Sequence, residues 1–129
     1  MIRLQNVTYL VRDLDDAIRF FSTGLGFTVR QDETFVGGWR RVVVGPAKGG
    51  TGFVLAVSDV DTVGYQAGGD VAFFLETDDF TAAYDRLVAA GARFREPPRR
   101  EPYGTVAVFE DPTCMPWDLI EPPTTAPVE

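Results

Sequence analysis

The chain has no histidine and a single cysteine, Cys114, among its 129 residues. Without imidazole there is no base for a nucleophilic triad. Also missing is the nitrogen ligand that most often holds zinc or iron. One cysteine excludes an internal disulfide framework and fits a reducing compartment. No apolar run approaches the roughly 18 residues of a membrane-spanning helix. Basic residues are scarce, 12 Lys+Arg against 19 Asp+Glu, for a net charge of −7. That balance argues against nucleic acid or an anionic membrane as partner; it is compatible with a cationic ligand, although acidity more often serves solubility. No glycine-rich loop precedes a helix, so nucleotide binding has no support. Met1-Ile-Arg-Leu-Gln-Asn6 enters a strand pattern directly and lacks the layout of a signal peptide, so a cytoplasmic protein is expected.

What the chain does contain is a duplicated pattern. Val7 to Phe21 is echoed by Phe73 to Leu87: a strand leads through an aspartate, Asp13 or Asp79, into an amphipathic helix that a glycine ends, Gly26 or Gly91. The first helical stripe is Leu14, Ala17, Ile18, Phe21 and Leu25, and the second is Phe80, Ala83, Tyr84 and Leu87. Leu4 to Arg12 reads as the first strand, followed after the helix by strands at Phe27 to Glu33, Trp39 to Val44 and Phe53 to Val57. Glycine turns at Gly37-Gly38, Gly45-Pro46 and Gly49-Gly50 separate them. The second unit repeats the order with strands around Phe73, at Ala92 to Arg95, Thr105 to Phe109 and Trp117 to Glu121. The expectation is one α+β domain over residues 1–129. It consists of two βαβββ modules (about 1–58 and 70–122), a linker (about 59–69) and a disordered tail (123–129), with helices on the outer face of a curved mixed sheet and a cleft on the other.

Three stretches carry a resemblance to a known family: Asn6-Val-Thr-Tyr-Leu-Val-Arg-Asp-Leu-Asp15, Phe20-Phe21 to Leu25-Gly26-Phe27, and Tyr103-Gly104 leading to Phe109-Glu-Asp-Pro112 and Trp117-Asp-Leu-Ile-Glu-Pro122. Their order and spacing resemble the vicinal oxygen chelate (VOC) superfamily of glyoxalases, bleomycin resistance proteins and extradiol dioxygenases, over nearly the whole chain. The resemblance implies that metal-using members draw four ligands, typically two histidines and two glutamates, from four strands. The corresponding positions here are Asn6, Val54, Ala72 and Asp118. One amide, one carboxylate and two apolar groups suit no transition ion, so neither a metal nor another cofactor is expected. An oxygen-only cation at Asp118 and Glu76 is the minor alternative. The family's Asp-Pro-x-Gly-Asn turn appears as Asp111-Pro-Thr-Cys114-Met115, with cysteine where glycine eases the turn.

Strand alternation directs Thr8, Ala56, Phe74, Asp118 and Ile120 toward the cleft. Phe35 and Trp39 flank the Gly37-Gly38 turn and could roof it, Tyr103 could close the far side, and Arg41 could meet an acidic ligand. The expected ligand-binding set is Asn6, Thr8, Phe35, Trp39, Arg41, Phe74, Glu76, Tyr103 and Asp118. Trp117 and Tyr84 read as core, and Cys114 as a turn or packing residue. Such a pocket suits a flat or amphipathic small molecule, with Asp118 or Glu76 meeting a cation. The resemblance further implies a homodimer that often exchanges βαβββ units, as in the bleomycin-resistance branch, which sequesters drug-like ligands. The alternative is a lyase, isomerase or dioxygenase of the same superfamily, either metal-dependent or using Glu76 or Asp118 as a general base.

Overall fold

The two halves fold alike, starting from their aspartate caps. Asp13 Oδ1 accepts a hydrogen bond from the Asp16 backbone N–H at 2.9 Å, and Asp79 Oδ1 accepts one from Ala82 N–H at 3.0 Å. In the computed structural model, which describes residues 1–59 and 61–124, the first module is β1 (Asn6–Val11), α1 (Leu14–Arg19), a π-helical turn (Phe20–Gly24), β2 (Thr28–Thr34), β3 (Arg40–Gly45) and β4 (Gly52–Val57). The second is β5 (Phe73–Glu76), α2 (Phe80–Ala89), β6 (Arg93–Phe94), β7 (Arg99–Glu101), β8 (Gly104–Glu110) and β9 (Pro116–Glu121). The fold is α+β, as expected. Pro122 to Thr124 are exposed and irregular, and the rest of the expected tail, 125–129, lies outside the described residues.

The strands form two mixed sheets, ordered β1-β4-β3-β2 and β5-β9-β8-β6, with β7 also paired to β8. In each sheet the module's first strand lies parallel to its last: Thr8 sits opposite Val54 in one, and Phe74 opposite Asp118 in the other. The duplication therefore extends to register.

Two details differ from the sequence expectation. The first helix is α-helical only to Arg19, and then widens into the π-turn before Gly26 adopts φ +72°. In the second module the strand equivalent to β2 is broken into β6 and β7. Pro97 and Pro98, which have no N–H to donate, sit at the break. The Glu96 side chain fills the gap, its Oε2 accepting from Val108 N–H at 3.3 Å.

One core joins the helix-facing sides of both sheets. Tyr9, Val11, Val42, Val44 and Leu55 meet Ala107, Phe109, Trp117 and Leu119, with Phe20, Phe21, Phe80 and Leu87 packed over them. Trp117 is fully buried, 5.5 Å from the Tyr9 ring and 5.1 Å from Phe73 between centroids. Tyr84 stacks on Phe94 at 4.2 Å. Both belong to the helix layer, as their spacing implied. Losing a buried aromatic of this kind costs about 3–5 kcal/mol.

The linker is more than a spacer. Val63 is buried, and Gly64, at φ +81°, passes so close to the Thr113 carbonyl that any Cβ would clash with it. Gln66 lies along the free edge of β1: its Oε1 accepts from Leu10 N–H at 2.9 Å and its Nε2 donates to Thr8 O at 2.9 Å. A side-chain amide thus takes the place of a neighbouring strand, which protects an otherwise open edge.

Candidate ligand-binding faces

The core uses one side of each sheet, so the other side of each is left to the site. On the first sheet, Val42 and Val44 point into the core and Arg41 and Val43 point away from it, together with Thr8, Val54 and Ala56. Arg41 Nε donates to Gln31 Oε1 at 2.9 Å. Asn6 opens the same strand as Thr8 and lies opposite Gly52. At the β2–β3 hairpin, Phe35 and Trp39 stack face to face, 4.5 Å apart and 16° from parallel. Trp39 is 56 % exposed, so it is not a core residue. A shallow hollow of about 370 Å³ runs from Trp39 and Arg41 to Val54 and Val57.

On the second sheet, Phe74 and Glu76 from β5 share a face with Asp118 and Ile120 from β9 and Val106 and Val108 from β8. Phe74 is 64 % exposed and Tyr103, in the turn before β8, 54 %. Asp118 is the exception among these groups. It is only 8 % exposed, between Phe74 on one side and Val108 on the other, and its buried Oδ1 has no hydrogen-bond partner among the described residues. A buried acceptor in that condition costs about 1–3 kcal/mol. Burial pushes the Asp118 carboxyl above its ordinary value; Arg99 opposes that rise and Glu96 adds to it.

Arg99 is already engaged. Its Nε donates to Glu101 at 3.0 Å and its NH1 pairs with Glu96, which holds Glu96 below the usual carboxylate range. This Glu96–Arg99–Glu101 triad was not expected as part of the site. The adjacent Pro97-Pro98 pair was the one available signal, because it breaks a strand beside the cleft. Arg40 is likewise tied down: it bridges Asp15 at 3.0 Å and Asp32 at 2.8 Å, and Asp32 is lowered by the Arg40 contact.

The expected ligand-binding residues therefore fall into two groups. Asn6, Thr8, Phe35, Trp39 and Arg41 lie on or beside one sheet, and Phe74, Glu76, Tyr103 and Asp118 on or beside the other. Among the described residues, no hydrogen bond, ion pair or aromatic contact joins the two groups. The modules are joined elsewhere: at the surface Arg86 Nε donates to Thr23 O at 2.6 Å and its NH2 to Ser22 O at 3.2 Å, and a second link is buried. The Tyr9 hydroxyl donates to Asp111 Oδ2, and Trp117 Nε1 donates to both Asp111 Oδ2 at 3.1 Å and the Tyr9 oxygen at 3.2 Å.

The Asp111-Pro-Thr-Cys114-Met115 turn closes without a glycine. Cys114 adopts φ +70°, while Asp111 Oδ1 accepts from Thr113 N–H at 2.8 Å, the Thr113 hydroxyl at 2.6 Å and Met115 N–H at 3.2 Å. The Cys114 thiol is exposed, 3.3 Å from Arg93 NH2.

The four positions corresponding to a family metal site are Asn6, Val54, Ala72 and Asp118, and they offer one carboxylate and one amide oxygen. Among the described residues no three of His, Cys, Asp or Glu converge as a ligand set. This donor set does not fit a transition ion, which favours nitrogen or sulfur ligands.

A fold of two such modules, with its open faces opposite a shared core, defines a class, and sequence comparison agrees with it. Residues 3–119 match the Glyoxalase/Bleomycin resistance protein/Dioxygenase superfamily, and the chain belongs to that family. An uncharacterized protein of Shewanella frigidimarina is 38% identical over 122 residues, 90% of each chain. Among solved structures, UcmS2 superposes with a TM-score of 0.77 at 32% identity, covering 93% of this chain and 98% of the other. TnmS3, described as an antibiotic binding protein from Streptomyces sp. CB03234, superposes at 0.76 with 27% identity, covering 95% and 98%. Among the described residues no helix is long and apolar enough to cross a membrane.

Proposed function

We propose that this chain is a cytoplasmic small-molecule binding protein that sequesters an amphipathic or aromatic, drug-like ligand without a transition metal, between two copies of itself. The observation that carries the reading is the pair of open sheet faces. Each bears exposed aromatic surface, Trp39 with Phe35 on one and Phe74 with Tyr103 on the other, beside fixed polar groups. Among the described residues no hydrogen bond, ion pair or aromatic contact links these residues across the two faces. A second copy placed face to face, first module against second, would pair Asn6, Thr8 and Arg41 with Phe74, Glu76 and Asp118 and enclose a pocket. Aromatic walls with few polar anchors are what such ligands need. The likeness to TnmS3, itself described as antibiotic-binding, supports a ligand of that kind.

Two measurements test the proposal together. Sedimentation should find a dimer at micromolar concentration. A thermal-shift panel of aromatic antibiotics and cationic glycopeptides should find a ligand that raises the melting temperature. Saturation at 100 times Kd stabilises by about 2.7 kcal/mol, easily read as several degrees. A monomer that answers to no ligand would refute the reading.

Catalysis by a cleft carboxylate is the second reading, and the raised Asp118 favours it, since a base needs a pKa moved toward neutrality. Product formation from a bound ligand, abolished in Asp118→Asn with binding retained, would establish it.

A further inference from the structure

We infer that Asp118 is the anchor for a positively charged donor on the ligand, so that the preferred ligand is a planar aromatic carrying a protonated amine. This rests on the binding reading above and specifies the ligand class for the same site. Asp118 Oδ1 is buried on the open face and no donor within the described chain reaches it. Its neighbours in register are the exposed Phe74 and the apolar Val108, with Ile120 two residues on along its own strand and on the same face. The nearby guanidinium, Arg99, already serves Glu96 and Glu101. A carboxylate with an apolar wall on either side and its local cation committed elsewhere lacks one thing, a donor from outside.

Phe74 decides the shape of the body that brings it. Its ring is 64 % exposed and lies directly opposite Asp118 in the parallel β5–β9 pair. A flat ring resting on Phe74 places a substituent at its edge over the carboxylate, and the ring face adds cation–π attraction for the same charge. The net charge of −7 and the neighbouring Glu76 favour approach of a cation over an anion.

Two probes of one shape isolate the charge: 9-aminoacridine, protonated at about pH 8, and acridine, neutral there. Both are titrated by fluorescence against the wild-type chain, Asp118→Asn, Glu76→Gln and Phe74→Ala. A charge-assisted hydrogen bond corresponds to about a ten- to hundredfold preference for the cation. That preference should vanish in Asp118→Asn, with acridine affinity unchanged, and should largely survive in Glu76→Gln. Phe74→Ala should weaken both probes. Equal binding of the two probes by wild type, or an unchanged preference in Asp118→Asn, overturns the inference and leaves the aromatic-binding reading standing. An equal loss in Glu76→Gln overturns it in favour of diffuse charge. If Asp118→Asn changes the dimer dissociation constant and not the probe preference, the carboxylate serves the partner subunit and the inference fails. Failure of both probes to bind wild type overturns the inference, whereas the binding reading falls only if the thermal-shift panel finds no ligand either.

Discussion

The Tyr9 hydroxyl, on the first strand of the first module, donates to Asp111 Oδ2 in the turn before the last strand of the second. These two side chains, 102 positions apart, are both buried, and Trp117 Nε1 reaches both of them. Burial, then the Asp111 charge, push the Tyr9 phenol far above its ordinary value, so it stays a neutral donor. Asp111 at the same time ties its own turn together through Thr113 and Met115. One carboxylate thus joins the modules and shapes the loop that carries Cys114.

Tyr9→Phe keeps the ring and removes the donor. The buried Asp111 oxygen then has only Trp117, and stability should fall by about 1–3 kcal/mol in urea denaturation. A loss within measurement error would show that this hydrogen bond does not hold the modules together.

Cys114→Gly should stabilise. A side chain at φ +70° costs about 1–2 kcal/mol, partly offset by the greater freedom of glycine in the unfolded chain. A melting temperature about 2–4 °C higher is expected. A decrease would mean that the 3.3 Å approach of Arg93 to the thiol outweighs the strain.

Gln66→Ala exposes the β1 edge. The Leu10 amide, now bonded to the Gln66 side chain, should lose hydrogen-exchange protection, while amides on the β4 side of β1 keep theirs. Global stability should drop by only about 1 kcal/mol, because the bonds are solvent-exposed.

Trp39→Ala separates binding from folding. The ring is mostly exposed and its chief aromatic contact is Phe35, so stability should change by no more than about 0.5–1.5 kcal/mol. Affinity for an aromatic ligand should fall clearly. A large stability loss with affinity intact would remove Trp39 from the site.

The pH dependence carries the mark of Asp118. Its folded pKa is raised, so between the ordinary value of 3.8 and that raised value the folded chain holds a proton that the unfolded chain has released. This contribution to stability is present at low pH and is lost as pH rises through the folded pKa. Asp118→Asn should therefore gain on wild type as pH climbs from about 4 toward neutrality. Glu96 acts oppositely: held low by Arg99, it contributes stability above its unfolded pKa, lost as pH falls through its folded pKa. Denaturation of both chains across that range reads the difference directly, and parallel curves would contradict the raised pKa.

Much of the fold is written locally and was legible for that reason. Asp13 and Asp79 cap because a short carboxylate fits an N-terminal turn, and the stripes of α1 and α2 follow from helical period. Trp117 and Tyr84 read as core through alternation and spacing alone. Absence of histidine bears on metal chemistry without any structure, since no arrangement creates an imidazole. The register of Phe74 against Asp118 and of Thr8 against Val54 extends the same repeat.

What depended on tertiary structure is everything set by distant residues meeting. No local pattern marks Gln66 as the cover of β1, or Tyr9 as the partner of Asp111, because each pairing is made by chain segments brought together only by the tertiary fold. The π-turn after Arg19 and the Glu96 side chain in the β6–β7 gap likewise answer to packing. Alternation could place Asp118 on the open face, yet burial, the unpaired Oδ1 and the engagement of Arg99 exist only once β8 and β9 lie side by side. Sequence alone determined which faces two repeated modules would present and the chemistry they lack. Three-dimensional packing decided how the two modules join, because hydrophobic burial gathers the helix-facing sides of both sheets into a single core.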